Sequence, residues 1–142
     1  MLTENQVVDA VCDYLTSRGY TISQRRHGRQ PGDDIVAIAP SGVPLHVEAK
    51  GSTSGFGTSA RAGQQFDSAQ CQVHVAEAFF RAVAMRDAAP TGQIRRVAIA
   101  LAALPHHDSL LARVARTLEQ LEIGVFIVQP DSSVTFAGSW SV

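Results

Sequence analysis

The chain has 142 residues, of which 45% are hydrophobic and 18% charged, and its formal net charge at pH 7 is −1. This length and composition predict a single folded domain over residues 1–142 and argue against a disordered chain. The near-neutral charge provides no overall basic field, so any nucleic acid would have to be held by a local patch.

Short apolar runs and the first residues, MLTENQ, predict neither a membrane span nor a secretion signal. The two cysteines, Cys12 and Cys71, lack a CxxC partner, and each falls on a helical apolar pattern. We expect both to be reduced thiols in the core of a cytoplasmic protein that makes no membrane contact.

The first half of the chain predicts one helix and three strands. Apolar residues recur at three- and four-residue spacing from Thr3 to Arg18, which is typical of an amphipathic helix. Thr3 and Gln6 have the spacing of a capping box, and Gly19 is a typical residue after a helix end. Strands connected by short turns are predicted over residues 20–25, 33–39 and 43–50.

The second half predicts alternating helices and strands after a flexible loop over residues 51–65, which is rich in Gly, Ser and Thr. A helix is predicted over residues 67–87, and its packing side would consist of Val73, Ala76, Ala78, Phe79, Phe80 and Val83. A strand, a helix, a strand and an edge strand follow, predicted at 94–101, 108–121, 123–129 and in SVTFAGSW. This order indicates an α/β fold with a central mixed sheet, in which hairpins come first and parallel crossovers follow.

The stretch PLHVEAKG carries polar residues on one side of a predicted strand. Successive side chains of a strand alternate between faces, so His46, Glu48 and Lys50 share one face. A hairpin turn would bring Asp34 of the preceding strand beside them. Lys50 is also the only lysine of the chain, against eleven arginines. The alternative interpretation is a solvated strand face on which Glu48 and Lys50 form a weak ion pair.

An aspartate, a glutamate and a lysine placed together suit the hydrolysis of a phosphodiester. Two adjacent carboxylates raise each other's pKa unless a cation lies between them. Mg²⁺ is such a cation, because it takes oxygen ligands from one or two carboxylates, from water and from phosphates. The metal activates water and neutralises charge on the phosphate, while the lysine can hold a phosphate oxygen or steer the water.

The stretch PGDDIVAIAPSGVPLHVEAKG resembles the core of the PD-(D/E)xK nuclease superfamily, which has the restriction-endonuclease-like fold. Members carry a G-x-D-apolar strand, a turn and an apolar-E-x-K-G strand, matched here by Gly32, Asp34, Ile35, Val47, Glu48, Lys50 and Gly51. The resemblance implies a three-layer αβββαβ core with a central mixed sheet over nearly the whole chain. The family's motif often has a proline beside the aspartate, whereas Pro31 lies three residues before Asp34.

The resemblance also implies a site for Mg²⁺ or Mn²⁺. Asp34 and Glu48 would be metal ligands, the carbonyl of Ala49 a further ligand, and Lys50 the catalytic lysine. His74 could line this site from the helix that follows, or it could be an ordinary helical histidine.

Two further catalytic side chains are implied by the resemblance. One is a glutamate from the first helix, for which Glu4 matches better than Asp9 or Asp13. The other is a glutamine from the helix after the E-x-K strand, for which Gln70 matches better than Gln72. Glu4 could instead be a first-turn acid stabilised by the helix dipole, and Gln70 an exposed helical residue.

Candidate nucleic-acid contacts lie in two segments. Arg25, Arg26 and Arg29 cluster in QRRHGRQ, and Ser52 and Thr53 could offer hydroxyls to a backbone phosphate. Each set also has an ordinary interpretation, as a solvated loop and as a linker. Phosphate contacts of this kind give binding but carry no sequence preference.

The sequence therefore predicts a metal-dependent nuclease that acts on DNA with weak sequence specificity. A homodimer would supply the two sites that a double-strand cut needs. One alternative is a catalytically silent module of the same fold that binds nucleic acid or a protein partner. Another is a small-molecule enzyme with a carboxylate-bound metal. RNA or single-stranded substrates also remain open.

Overall fold

The computed structural model describes residues 1–55, 60 and 62–142, and across these ranges one six-stranded sheet lies between helices. The elements are α1 (Glu4–Ser17), β1 (Thr21–Arg25), β2 (Ile35–Ile38), β3 (Pro44–Lys50), α2 (Ser68–Asp87), β4 (Arg96–Ala102), α3 (Pro105–Gln120), β5 (Ile123–Val128) and β6 (Val134–Ala137). None of the helices in these ranges is long and apolar enough to cross a membrane.

The sheet is mixed, and its strands lie in the order of the sequence, β1 to β6. Antiparallel pairing joins β1 to β2 and β2 to β3, whereas β3, β4 and β5 are parallel and β6 is again antiparallel to β5. The predicted α/β fold is therefore confirmed, with a hairpin-connected first half, parallel crossovers and an αβββαβ element order.

Helices cover both faces of the sheet, which gives three layers. The composition of β4, RVAIALA, shows why both faces can be covered. Its small residues Ala98 and Ala100 pack in the core that includes α1, and its larger residues Ile99 and Leu101 pack in the core that includes α2. Small side chains on one face of a buried strand allow a helix to approach closely there, while larger ones fill the space on the other face.

The packing side of α2 differs in part from the prediction: Ala78 is buried and Phe79 packs against the core as predicted, but Val73, Phe80 and Val83 are exposed. Its buried residues are Cys71, Val75, Ala78, Ala82 and Met85. Phe80 is 72% exposed and Val73 is 55% exposed. Both sets recur at three- and four-residue spacing, so periodicity alone cannot decide which side faces the sheet. The side with the smaller residues packs inward, and it includes Cys71, which, like Cys12, is a buried free thiol as predicted.

Candidate active site

Three of the predicted site residues meet where β2 begins and β3 ends. Ile35 pairs with Val47, and this register continued by one residue places Asp34 beside Glu48. The carboxylate of Asp34 accepts a 2.8 Å hydrogen bond at Oδ2 from the N–H of Ala49. Nζ of Lys50 lies 3.3 Å from Oε1 of Glu48. The hairpin therefore brings together the carboxylates and the ammonium group that the sequence pattern paired.

Helix α2 adds two charged residues that the sequence analysis missed. Oε2 of Glu77 lies 3.5 Å from Nζ of Lys50, and Nε of Arg81 lies 3.6 Å from Oε1 of Glu48. A signal was available, because Glu77 and Arg81 are the only charged residues from Ser68 to Met85 and lie four positions apart. On a helix this spacing places both side chains on one face.

Glu4 reaches the same site because the start of α1 lies against the end of β3. The N–H of Ser52 donates to the carbonyl of Leu2 at 2.7 Å, and the Ser52 hydroxyl accepts from the Leu2 N–H at 2.8 Å. A Cβ on Gly51 would lie 2.6 Å from the backbone nitrogen of Glu4, closer than any side chain permits. Gly51 is therefore the residue that lets α1 deliver Glu4 to the site.

Burial and mutual repulsion both raise the pKa values of the carboxylates. Burial raises the pKa of Asp34, and the charge of Glu4 raises it further. Glu48 is only 3% exposed. Its pKa is raised first by burial and then by Asp34, and Lys50 and Arg81 offset this only in part. Burial also raises the pKa of Glu4.

Lys50 keeps its proton despite its partial burial. Burial by itself lowers the pKa of Lys50, but Glu48, Glu4 and Glu77 together outweigh this, and its pKa lies above the usual lysine range. Counting the described residues in these interactions, the four carboxylates of Glu4, Asp34, Glu48 and Glu77 face the two cations of Lys50 and Arg81. The site has excess negative charge.

The oxygen atoms of Asp34 and Glu48 fit a hard divalent cation. Within the described residues, no cluster of three or more His, Cys, Asp or Glu side chains is arranged to hold a metal. Mg²⁺ does not need such a cluster, since it is commonly bound by one or two carboxylates and keeps several waters. A pair of carboxylates without thiolate or imidazole ligands suits Mg²⁺ or Mn²⁺ better than zinc.

A cavity of about 530 Å³ adjoins the site. Its walls come from α1, α2 and the segments that follow β1 and β3, and they include Glu4, Asn5, Arg29, Lys50, His74 and Glu77. The N–H of Gly28 donates to Oδ1 of Asn5 at 3.0 Å, which fastens the segment after β1 to α1. His74 packs edge-on against Phe66, with ring centroids 4.4 Å apart. Burial and then Lys50 lower the pKa of His74, which favours a neutral imidazole in this wall.

The three arginines of QRRHGRQ do not form one phosphate-binding patch. Arg25 is paired with two acids of α1, at 3.1 Å from Asp9 and 3.8 Å from Asp13. The side chain of Arg26 lies against Gly32, since a Cβ there would be 2.9 Å from Nε of Arg26, and it donates to Gln24 at 3.2 Å. Of the three, Arg29 lines the cavity.

Ser52 and Thr53 are buried, with 2% and 8% of their surfaces exposed. The hydroxyl of Ser52 is bonded to the backbone of Leu2, and that of Thr53 donates to the Gln64 carbonyl at 2.7 Å. Thr53 also pairs with Gln65 in an isolated bridge. These contacts fix both ends of the segment that was predicted to be flexible throughout. Residues 56–59 and 61 of that segment lie outside the described residues.

Gln70 lies at the start of α2, in a capping box with Asp67. Its N–H donates to Oδ1 of Asp67 at 2.9 Å, and its Oε1 accepts from the Asp67 N–H at 3.0 Å. Gln70 lines a neighbouring cavity, which shares Ser54 and Phe66 with the cavity beside Lys50, and it is not among the residues that line the latter. The amide predicted for catalysis is engaged in the helix cap, and Glu77 is the α2 residue that contacts Lys50.

His46 is bonded to Asp33, the acid next to Asp34 in the sequence. Nδ1 of His46 lies 2.5 Å from Oδ2 of Asp33, and both side chains are partly buried. The backbone of Asp34 is held separately, because its carbonyl accepts from the N–H of Arg26 at 2.8 Å. These contacts fix the start of β2, which positions the Asp34 carboxylate.

No family model and no curated protein sequence matches the chain. Among solved structures, the chain is similar to SfsA from Pyrococcus furiosus in complex with Ca²⁺, at 19% sequence identity and a TM-score of 0.36. The match covers 91% of this chain and 58% of the SfsA chain, so this chain spans less than two thirds of that protein.

Proposed function

We propose that the chain is a metal-dependent nuclease of the PD-(D/E)xK superfamily that hydrolyses phosphodiester bonds, with DNA as its substrate. The observation that supports this most strongly is the contact of Lys50 with Glu48 at 3.3 Å, in a site where Asp34 lies beside Glu48. The excess of carboxylates over cations supports it further, because a bound divalent cation would compensate it.

Asp34 and Glu48 would hold Mg²⁺ or Mn²⁺, with the Ala49 carbonyl as a further ligand. When bound, the metal would lower the pKa of water and neutralise charge on the phosphate oxygens. The protonated Nζ of Lys50 would donate to a phosphate oxygen or orient the attacking water. Arg29 would contact a neighbouring backbone phosphate from the cavity wall.

Glu77 and Arg81 act as positioning residues in this proposal. Glu77 on α2 would hold Lys50 together with Glu48, and Arg81 would hold the Glu48 carboxylate. Glu4 adds negative charge that, after Glu48, helps to raise the pKa of Lys50. We assign Gln70 no part in the proposed reaction, because its side-chain amide caps α2.

Phosphate contacts without base contacts would make cleavage weakly sequence-specific. We further propose that residues 1–142 form one domain of a cytoplasmic protein. The described residues of each chain offer one such site, so a homodimer would be needed to cut both strands in one encounter. Light scattering of the purified chain at several concentrations measures the oligomeric state. If the chain is a monomer at every concentration, the proposal is restricted to the nicking of one strand.

Nicking of supercoiled plasmid with Mg²⁺ or Mn²⁺ tests the nuclease proposal. Lys50→Ala and Glu48→Gln should each lower the rate by about 100-fold or more. Matched controls are Arg113→Ala and Glu119→Gln, which alter one charge on the exposed side of α3. Circular dichroism confirms that each variant is folded. Equal nicking by the wild type and Lys50→Ala would contradict the proposal.

A catalytically silent binding module is the second candidate, and the ion pairs of Glu48 favour it. Lys50 and Arg81 both lie within 4 Å of Glu48, so this carboxylate is compensated without a metal. Calorimetric titration with Mn²⁺ separates the two candidates. Binding that is lost in Asp34→Asn supports the nuclease, whereas no binding together with retained affinity for DNA supports the silent module.

A further inference from the structure

A second polar cavity lies at the end of the sheet away from Lys50. It has a volume of about 390 Å³ and is lined by Arg86, Ala89, Gln93, Ile94, Arg95, Arg96, Glu122 and Trp140. Lys50 pairs with Leu101, five residues after Arg96 on β4. At the usual rise of a strand, this places the cavity roughly 17 Å from Lys50 along the sheet. The two cavities are therefore separate.

Three arginines line this cavity, and none of them has a carboxylate partner among the described residues. Across the described part of the chain, none of the three has an acidic oxygen within 4 Å. Each donates instead to a backbone carbonyl: Arg86 to Glu122 at 2.9 Å, Arg95 to Met85 at 2.8 Å and Arg96 to Ser141 at 3.3 Å. A guanidinium keeps its charge and has five N–H donors, so each contact orients the group and leaves further donors for a ligand.

Glu122 organises this arrangement through its backbone. It has a φ of +55°, a left-handed conformation that non-glycine residues adopt at an energetic cost. Its carbonyl accepts from both Arg86, at 2.9 Å, and Nε1 of Trp140, at 3.0 Å. Glu122 is the one acidic residue among the described residues that line the cavity, against three arginines. The residues that line the cavity therefore carry a net positive charge, and the strained backbone of Glu122 holds Arg86 and Trp140 in position.

Trp140 fixes the third arginine. Cζ of Arg96 lies 5.1 Å from the centre of the Trp140 ring, a cation–π contact. The other neighbour of the ring is Phe136, with centroids 4.6 Å apart. Because Trp140 is engaged with these two side chains, we expect it to hold Arg96 and not to stack on a nucleobase.

We propose that this cavity binds the phosphate group of a phosphate ester. Guanidinium groups match the oxygen atoms of phosphate in paired hydrogen bonds, three of them line this cavity, and the volume suits a ligand of this size. Binding should not depend on the identity of a base, since no aromatic surface is left to stack on one. The phosphate could belong to a free mononucleotide or to a polynucleotide backbone, and this site is independent of the nuclease proposal.

Trp140 is the only tryptophan of the chain, so its fluorescence reports directly on this cavity. The full chain is titrated with inorganic phosphate, adenosine monophosphate, and oligothymidylate and oligoadenylate of equal length. A saturating change is expected, with equal affinity for the two oligonucleotides and weaker binding at higher salt. Saturation by the small phosphates identifies a free ligand, and saturation by oligonucleotides alone identifies a backbone phosphate.

Arg95→Gln should weaken binding by about 10-fold or more, the usual effect of losing a charged hydrogen bond. Arg113→Gln is the matched control, because it removes an exposed arginine outside the cavity and should change nothing. Arg95→Lys keeps the charge but loses the planar fork of N–H donors, so it should also weaken binding. It provides the test if Arg95→Gln folds poorly. Lys50→Ala should bind as the wild type does.

Two results would overturn the proposal. One is the absence of a saturating fluorescence change with every probe. The other is binding that Lys50→Ala abolishes while both Arg95 variants retain it, since the phosphate would then occupy the candidate active site. Neither result depends on nuclease activity.

Discussion

Nζ of Lys50 lies between two carboxylates, 3.3 Å from Glu48 on its own strand and 3.5 Å from Glu77 on α2. Its side chain is only 15% exposed, so the ammonium group is held in one place by partners on two layers of the fold. In the proposed nuclease, a lysine held in this way would be pre-positioned for a phosphate oxygen. Ordering it on substrate binding then costs little conformational entropy.

Lys50→Arg should abolish most of the nicking activity even though it keeps the charge. A guanidinium is larger and planar, and it cannot occupy the position of a compact ammonium between two carboxylates. We expect a loss of about 100-fold in rate with the metal in excess, the scale of removing one positioned donor. Plasmid nicking by the folded variant is the measurement. Activity near that of wild type would show that only the positive charge of Lys50 matters.

Asp34→Asn should make the metal-free protein more stable at neutral pH. Folding raises the pKa of Asp34, so the folded chain binds its proton more tightly than the unfolded chain does. Stability therefore falls as pH rises through the interval between the ordinary and the raised pKa, and the loss persists above it. The amide still accepts from the Ala49 N–H but carries no charge.

A rise in Tm of about 2–4 °C in EDTA is expected for Asp34→Asn, which corresponds to ~1 kcal/mol in a chain of this size. The same variant should lose the Tm increase that Mn²⁺ gives the wild type, because one of its ligands is gone. Scanning calorimetry with and without Mn²⁺ measures both effects. A lower Tm in EDTA together with an intact Mn²⁺ effect would mean that Asp34 is a structural residue.

Arg81→Gln should move the acid limit of Mn²⁺ binding to higher pH. Burial and then Asp34 raise the pKa of Glu48, and Arg81 is one of the cations that offset this. Without Arg81 the pKa rises further, so Glu48 becomes protonated, and unable to bind metal, at a higher pH. The Mn²⁺-induced rise in Tm, recorded between pH 4 and pH 8, gives the profile. Arg113→Gln should leave it unchanged, and an unmoved profile in Arg81→Gln would remove Arg81 from the site.

The placement of Asp34, Glu48 and Lys50 could be predicted because it depends on local rules. Side chains alternate along a strand, and a short turn sets the register of the neighbouring strand. Both rules act within the 17 residues from Asp34 to Lys50, so this one segment of the sequence was enough to predict the placement. The start of α1 obeys local rules as well, since Thr3 and Gln6 form the predicted capping box.

Other features depended on partners far away in the sequence. Arg25 is paired with Asp9 and Asp13 across the first helix and strand, which no local pattern reveals. The two apolar sides of α2 have the same spacing, and contact with the sheet decides between them. The capping box of Gln70 and Asp67, in contrast, is local, and its three-residue spacing could have been recognised in the sequence as that of Thr3 and Gln6 was.

The exposed position of Phe80 gives a direct check on the orientation of α2. Because 72% of its surface is exposed, Phe80→Ser should change the free energy of unfolding by about 0.5 kcal/mol or less. Phe126→Ala is the contrasting variant, because Phe126 is fully buried and should cost about 3–5 kcal/mol. Urea denaturation measures both. A large loss in Phe80→Ser would mean that this side of α2 is covered, for example by a second copy of the chain.

Gly51→Ala tests whether the approach of α1 to β3 assembles the site. The added Cβ would lie 2.6 Å from the nitrogen of Glu4 and 2.7 Å from the carbonyl oxygen of Leu2. Both contacts are with backbone, which cannot rotate away, so α1 must shift and carry Glu4 with it. We expect a loss of stability of about 1–3 kcal/mol, as for other overpacked sites.

The matched control for Gly51→Ala is Gly42→Ala, at a turn with φ of +87° and no atom within 4 Å of the added Cβ. It should be destabilised through backbone strain, by about 1 kcal/mol, while its nicking rate per folded molecule stays that of wild type. Gly51→Ala should lose rate as well as stability, because the shift of α1 moves Glu4 away from Lys50 and reshapes the cavity wall that both residues line. Equal nicking rates for the two folded variants would show that Glu4 plays no part in the reaction and that the role of Gly51 is only structural.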